Sequence, residues 1–388
     1  MYGKDEIFYT ERLLELFRES VKLRMISDVP IGVFLSGGID SSTNTALFSE
    51  FANDVKTFSI GFEGQEKYNE FQYARKVADI FKTKHHEVTI DVEDLIKFLE
   101  QLVYYQDEPI ADPVCVPVYF VSKLAKDNGV TVCQVGEGAD ELFCGYPMWG
   151  IMLKLHHLSG YWKSVPSLLR ALGLGVLGAI GKGESTHYEL LRRAHNKESI
   201  FWGGADAFSE EQKKSFLSPR LRNKFKNRSS YEVVEKYYKR FLAESPIQDY
   251  LNFMTYLDIS FRLPELLLMR VDKMSMAVSL EARVPFLDHK IVEFAMSIPQ
   301  SVKVKNGELK HIMKKSVEQV IPNEIIYRKK QGFGVPVKEW FFQELGNFIK
   351  GELTKFSNIT KFFDRGAIEK MLIRARGDQL WFLLNFVM

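Results

Sequence analysis

Apolar and polar positions follow two rhythms along the first 146 residues. Leu14, Phe17, Val21 and Met25 recur at helical spacing, which predicts a helix over residues 11–26, before any strand. The run IGVFL (31–35) is apolar throughout, as suits a strand covered on both faces. STNTALFSEF resumes a helical pattern, VKTFSIGF reads as a second strand, and residues 70–81 place Ala74, Val77, Ala78 and Phe81 on one helical face. HHEVTI is a third strand. Asp91 is placed to cap a helix with Leu95, Phe98, Leu99, Leu102 and Val103 along one stripe. A helix over about 118–126 then leads into a fourth apolar strand, GVTVCQV.

Strands alternating with helices predict an α/β fold, a parallel sheet with helices on both faces. The β pattern fades after Tyr146, and a mainly helical region is expected from there to the end. Three parts are expected: residues 1–146 as the α/β core with its leading helix, 147–245 as a helical insert, and 246–388 as a helical region packed on the core. The stretch ALGLGVLGAIG (171–181) is shorter than the roughly 20 apolar residues that span a bilayer. It reads as a core or interdomain helix, with a helix resting on a membrane surface as the other reading.

Composition narrows the class. The formal charge of +2 gives no reason to expect nucleic acid or a membrane as partner. Cys115, Cys133 and Cys144 show no pairing framework and no C-x-x-C, so reduced thiols in a cytoplasmic protein are expected.

Two of the apolar strands run into glycines. After the first comes SGGIDSS (36–42). Gly37 and Gly38 permit a tight turn and the close approach of an anion, Ser36, Ser41 and Ser42 offer hydroxyls, and the next helix begins there. Asp40 beside a phosphate site is repulsive without a cation, which implies Mg²⁺. No lysine follows the glycines, so this is not a Walker loop. A plain glycine turn with a Ser/Asp cap is the competing structural reading. After the fourth strand comes VGEGADELFCGYP (135–147), where Glu137, Asp140 and Glu141 cluster. Carboxylates so close repel unless a cation lies among them, and Asp140 is a sensible metal partner for Asp40.

VPIGVFLSGGIDSS resembles the PP-loop of the ATP pyrophosphatases, and most closely the synthetase domain of the asparagine synthetase family. VGEGADELFCGYP, LLLMRVDKMSMAVSLEARVPFLDHKIVEFAMSIP (266–299), GELKHIMKKS (308–316 and the residue before) and YRKKQGFGVPVKEWF (327–341) resemble further family segments in family order. The resemblance implies an ATP-dependent amide ligase: the side-chain carboxylate of aspartate is adenylated with release of pyrophosphate, and ammonia displaces AMP to give asparagine. It implies that Leu35 and Ile60 contact adenosine, Gly136 its ribose or phosphate side, and that Lys310 stabilises charge on the phosphates. Glu137 would act on ammonia as base or acceptor. Asp272, Lys273, Glu281, Arg283 and Asp288 read as a buried ion-pair network with a cleft or structural role. Lys329 and Lys330 read as surface charge, in a segment where Gly332-Phe333 shapes a closing loop in the family.

Three departures qualify the resemblance. The chain opens on Met1-Tyr2, without the N-terminal cysteine of a glutaminase domain. It ends in the apolar run LWFLLNFVM without a stop signal, and a fragment of a two-domain enzyme is expected, free ammonia or a glutaminase partner being the other source of nitrogen. Val114 and Val135 stand where serines are usual, which leaves open another carboxylate, such as a uronic acid of a surface polysaccharide. A homodimer is expected. A tRNA-modifying PP-loop enzyme and a non-catalytic scaffold fit less well: charge is near neutral, and Asp40, Glu137 and Lys310 are all present.

Overall fold

A computed structural model describes residues 4–204, 206–332, 334–374 and 377–388. They form two compact units, Met1–Gly145 with Leu263–Leu345, and Tyr146–Arg262 with Gly346–Met388. This partition by packing cuts the chain at different places from the division by sequence character.

In the first unit, α1 (Glu6–Leu23) starts at Asp5, whose carboxylate accepts from the Phe8 N–H at 2.9 Å, and it buries Tyr9, Leu13, Leu16, Phe17 and Val21 along one stripe. Phe17 meets Phe143 and Phe286 edge-on, at centroid distances of 5.9 and 5.1 Å. The sheet follows: β1 (Ile31–Phe34), β2 (Lys56–Phe62), β3 (Lys84–Ile90), β4 (Val132–Gln134) and β5 (Glu281–Arg283), in the order β3-β2-β1-β4-β5 and parallel throughout. Between them run α2 (Ile39–Ser49), α3 (Phe71–Phe81), α4 (Val92–Gln106) and α5 (Cys115–Asp127).

Strand order reverses between β1 and β4. Right-handed crossovers translate that reversal into helices on both faces, and it opens a crevice beyond the carboxyl ends of these two strands. Gly32 pairs with Lys56 on one side and Cys133 on the other. A Cβ there would lie 2.7 Å from the Phe58 ring, which fills the core with Val121, Ala125, Val130, Cys133 and Leu280. The strand β5 falls where the pattern predicted helix. Its three residues are too few and too polar to show a period, and they extend the sheet only by pairing with β4.

The second unit is helical. It begins with α6, here the helix Pro147–Ser164, and α7 (Ser167–Ala179). A carboxylate–guanidinium network joins buried Glu189 and Arg193 to half-buried Arg192 and Glu198, and Arg193 also lies 3.7 Å from the Trp202 ring. The expected core helix at 171–181 is corrected: α7 leaves most of its apolar side chains in solvent. All three cysteines are free and buried, and burial pushes the Cys115 and Cys144 thiols up to about 12 and Cys133 higher still, so none is a ready nucleophile.

Candidate active site

The loops after β1 and β4 are neighbours because their strands are. Leu35 is buried at the end of β1, where its N–H donates to the Phe58 carbonyl at 2.9 Å, and Ile60 is half-buried on β2. Gly37 turns at φ +73, and a Cβ on it would come within 2.6 Å of the Tyr73 and Ala74 backbone. Ser36, Gly38 and Ser41 stitch this loop together. The Ser36 N–H donates to Ser41 Oγ at 3.1 Å, and the Gly38 N–H donates to Ser36 Oγ at 3.2 Å. Ser42 is fully buried, and its hydroxyl has no partner.

Opposite this loop, Gly136 approaches so closely that a Cβ would lie 3.3 Å from Asp40 Cβ. The carboxylates of Asp40 and Asp140 meet over one ammonium. Lys310 Nζ stands 2.6 and 2.7 Å from the two Asp40 oxygens and 2.6 Å from Asp140 Oδ1. Lys330 Nζ is also 2.6 Å from Asp140 Oδ1. Burial opposes charge on Asp140, but Lys310 and Lys330 outweigh it and hold the carboxyl at about 2. Burial, helped by the Asp140 charge, leaves Asp40 above the usual carboxylate range despite Lys310. Lys310 is itself buried, which favours the neutral amine, but the two carboxylates keep it firmly protonated. Gly145 completes the fit, since a Cβ there would overlap Asp140 Oδ1 and Lys310 Cε.

A third cation enters from far along the chain. Arg328 donates from Nε to the Gly37 carbonyl at 3.1 Å, pairs with half-buried Glu70, and lies 4.3 Å from the Tyr73 ring. Lys310, Lys330 and Arg328 thus supply, from outside the loop, the positive charge that SGGIDSS itself lacks. Lys330 is exposed, and its ammonium also reaches Asp140. Phe333 lies outside the described residues.

Glu137 belongs to a second cluster. Arg270 donates to Glu137 Oε1 at 3.0 Å and to Asp112 Oδ2 at 2.5 Å, and it is 8% exposed. Burial favours loss of its proton, but the Asp112 and Glu137 carboxylates outweigh it and raise the pKa above the ordinary value. Arg270 is the residue sequence reasoning missed. Its only signal was a cation in the otherwise apolar LLLMRV. The expected buried network is corrected accordingly. Asp272 and Glu281 are exposed, Lys273 pairs with exposed Asp107, and Arg283 binds Glu281 and the carbonyls of Arg24 and Ile26 at the sheet edge. Asp288 is buried, but it caps the helix His289–Ser297 and pairs with Arg24 at 3.0 Å.

The donor set fits a hard divalent cation. Asp40 and Asp140 offer only oxygen, converge on one point, and are held there with cationic charge between them. Among the described residues no group of three or more His, Cys, Asp or Glu could hold a metal ion. Two carboxylates with the rest of the shell from water and phosphate is the usual arrangement for Mg²⁺.

A parallel α/β sheet with a glycine cradle after β1 and a carboxylate loop after β4, at the switch point, defines a PP-loop nucleotide-binding fold. The sequence model of the asparagine synthase family matches residues 12–388, and the chain belongs to that family. It is 37% identical to asparagine synthetase (glutamine-hydrolyzing) 1 of Bacillus subtilis, over 86% of this chain and 50% of that protein. It is 30% identical to a putative asparagine synthetase (glutamine-hydrolyzing) of Mycobacterium bovis, over 99% of this chain and 58% of that one. Amidase chry2 of Gibberella zeae is 24% identical over 87% of this chain and 54% of its own length. The chain spans about half the length of the curated relatives it matches.

Proposed function

We propose that the protein is an ATP-dependent amide ligase of the asparagine synthase type, with aspartate as its carboxylate. The observation that carries this reading is the meeting of Asp40 and Asp140 on Lys310 beside the glycine cradle. A carboxylate oxygen of the substrate attacks the α-phosphorus of ATP. The bond to the bridging oxygen breaks and pyrophosphate leaves with that electron pair. Ammonia then adds to the acyl carbon, loses a proton, and AMP departs.

Asp40 and Asp140 would hold Mg²⁺, which when bound neutralises phosphate charge. The residues do the rest. Backbone and hydroxyl groups of Ser36, Gly37, Gly38, Ser41 and Ser42 hold the pyrophosphate, and Leu35, Ile60 and Gly136 border the adenosine. Lys310 moves its ammonium from the carboxylates to the phosphates, where charge develops. Lys330 and Arg328 remain as fixed positive charge. Glu137 accepts the proton of the attacking ammonia, with its carboxylate oriented by Arg270.

The second reading keeps the chemistry and changes the carboxylate to a uronic acid. It is favoured by Val114 and Val135, both buried apolar side chains where the family usually has serine. Pyrophosphate release by the purified chain with MgATP and ammonium, with and without aspartate, tests both. Aspartate-dependent release with an asparagine product supports the first reading. Release that ignores aspartate but responds to a uronic acid replaces it with the second. No release with either overturns the proposal.

A further inference from the structure

The helix α7 is built inside out. On α7, Leu168, Leu169, Leu172 and Val176, with Ile180 just beyond its end, are between 56% and 71% exposed, whereas Arg170 is 8% exposed. At 100° per residue these five apolar side chains occupy one arc. The rest of the outward side is Ala171, Gly175, Gly178 and Ala179. Apart from Ser167 in the first turn, no polar side chain faces solvent on this helix. The preceding α6 also leaves Met148, Ile151, Leu158 and Tyr161 exposed, and its Trp162 lies near α7, where a Cβ on Gly173 would meet it at 3.7 Å. An apolar face of this extent is not left bare in water.

Charge says what covers it. Residues 142–183 contain no Asp or Glu, although the chain carries 50 among its 388 residues, and they contain four Lys or Arg. Exposed Lys154 lies one turn from both Ile151 and Leu158, and exposed Lys182 follows Ile180 by two residues. A protein partner is met by a polar, solvent-accessible rim, which the outward side of α7 lacks. An aliphatic arc edged by an exposed tyrosine and by lysines, with acid excluded, is the pattern of a helix lying in the plane of an anionic bilayer. No described helix is long and apolar enough to cross a membrane, which leaves contact with its surface. We propose that α6–α7 docks this protein on an anionic lipid surface, with the α7 leucines entering the headgroup boundary and Lys154 and Lys182 facing lipid phosphates.

The test is flotation of the purified chain with vesicles of phosphatidylcholine alone and of phosphatidylcholine with phosphatidylglycerol. The chain is expected to float with the anionic vesicles, weakly with the neutral ones, and less as salt is raised. Leu172→Glu is expected to weaken partitioning by about tenfold or more, with the thermal midpoint unchanged because the side chain is exposed. Lys154→Glu should weaken it about fivefold on anionic vesicles only. Leu172→Gln replaces the charged variant if that one loses its fold. Absence of flotation on both vesicle types overturns the proposal. So does self-association in light scattering that Leu172→Glu abolishes without any vesicle binding, which would assign the face to a second copy. Neither readout involves nucleotide or carboxylate, so the result stands apart from the ligase reading.

Discussion

Arg270 and Glu137 are joined by a 3.0 Å hydrogen bond between residues 133 apart in sequence, and the same guanidinium holds Asp112 at 2.5 Å. One buried cation therefore faces two carboxylates. Glu137 cannot turn freely toward ammonia without leaving Arg270, and Arg270 cannot be removed without leaving two half-buried anions unpaired.

Arg270→Met should lower stability by about 2–3 kcal/mol, below the usual cost of breaking a fully buried charge pair because water reaches both carboxylates, which denaturant unfolding will read. Arg270→Lys keeps the charge but loses the fork. It should fold, keep ATP–pyrophosphate exchange near normal, and slow amide formation about a hundredfold. A change in the pH profile of the ammonia step would mark Arg270 as a positioning residue. Equal losses in both half-reactions would mean a structural role only.

Asp40→Asn leaves Lys310 paired with Asp140 and should fold with little change in thermal midpoint, while pyrophosphate release falls to background. A variant with normal release would remove Asp40 from the proposed Mg²⁺ site. Lys310→Met should be worse for the fold, because Asp40 and Asp140 then face each other across a buried space with only Lys330 to offset them. The sign of the pH response follows from Asp140. Its pKa of about 2 lies below the ordinary aspartate value of 3.8, so its stabilisation is fully present above pH 3.8 and is lost as pH falls toward 2.

Gly145→Ala tests the fit without changing any charge. The added methyl overlaps Asp140 Oδ1 and Lys310 Cε, so it must displace the ion pair. Loss of pyrophosphate release is expected, with a midpoint several degrees lower. Gly351→Ala places its methyl in open space, and neither it nor Gly145 has a positive φ, so it should leave pyrophosphate release unchanged.

What the sequence disclosed divides by distance along the chain. The first four strands are short apolar runs between helical patterns, and both site loops advertise themselves locally through glycines beside carboxylates. Lys330, Arg328 and Arg270 carry no such mark. Each is one cation in a segment rich in them or a lone one among leucines, and its meaning lies in a partner more than a hundred residues away. The strand β5 is missed for a similar reason, since its identity comes from pairing with β4. In α7 the leucine pattern is plain, but periodicity alone does not tell a buried face from an exposed one. Only the burial of Arg170 against solvent-facing leucines reveals the inversion.

Asp258 provides a test within the second unit. It is fully buried and pairs with Arg262 at 3.2 Å. Burial dominates over that guanidinium and raises the carboxyl to about 6, against the ordinary aspartate value of 3.8. The folded chain therefore binds a proton more tightly than the unfolded chain does. The stability Asp258 contributes is fully present below pH 3.8 and is lost as pH rises through 6. Asp258→Asn is nearly isosteric and does not titrate. Measured by denaturant unfolding, its stability relative to the native chain should rise by about 3 kcal/mol between these two pH values and stay level above them. A difference that is constant with pH would show that Asp258 is ionised throughout, with Arg262 compensating its burial.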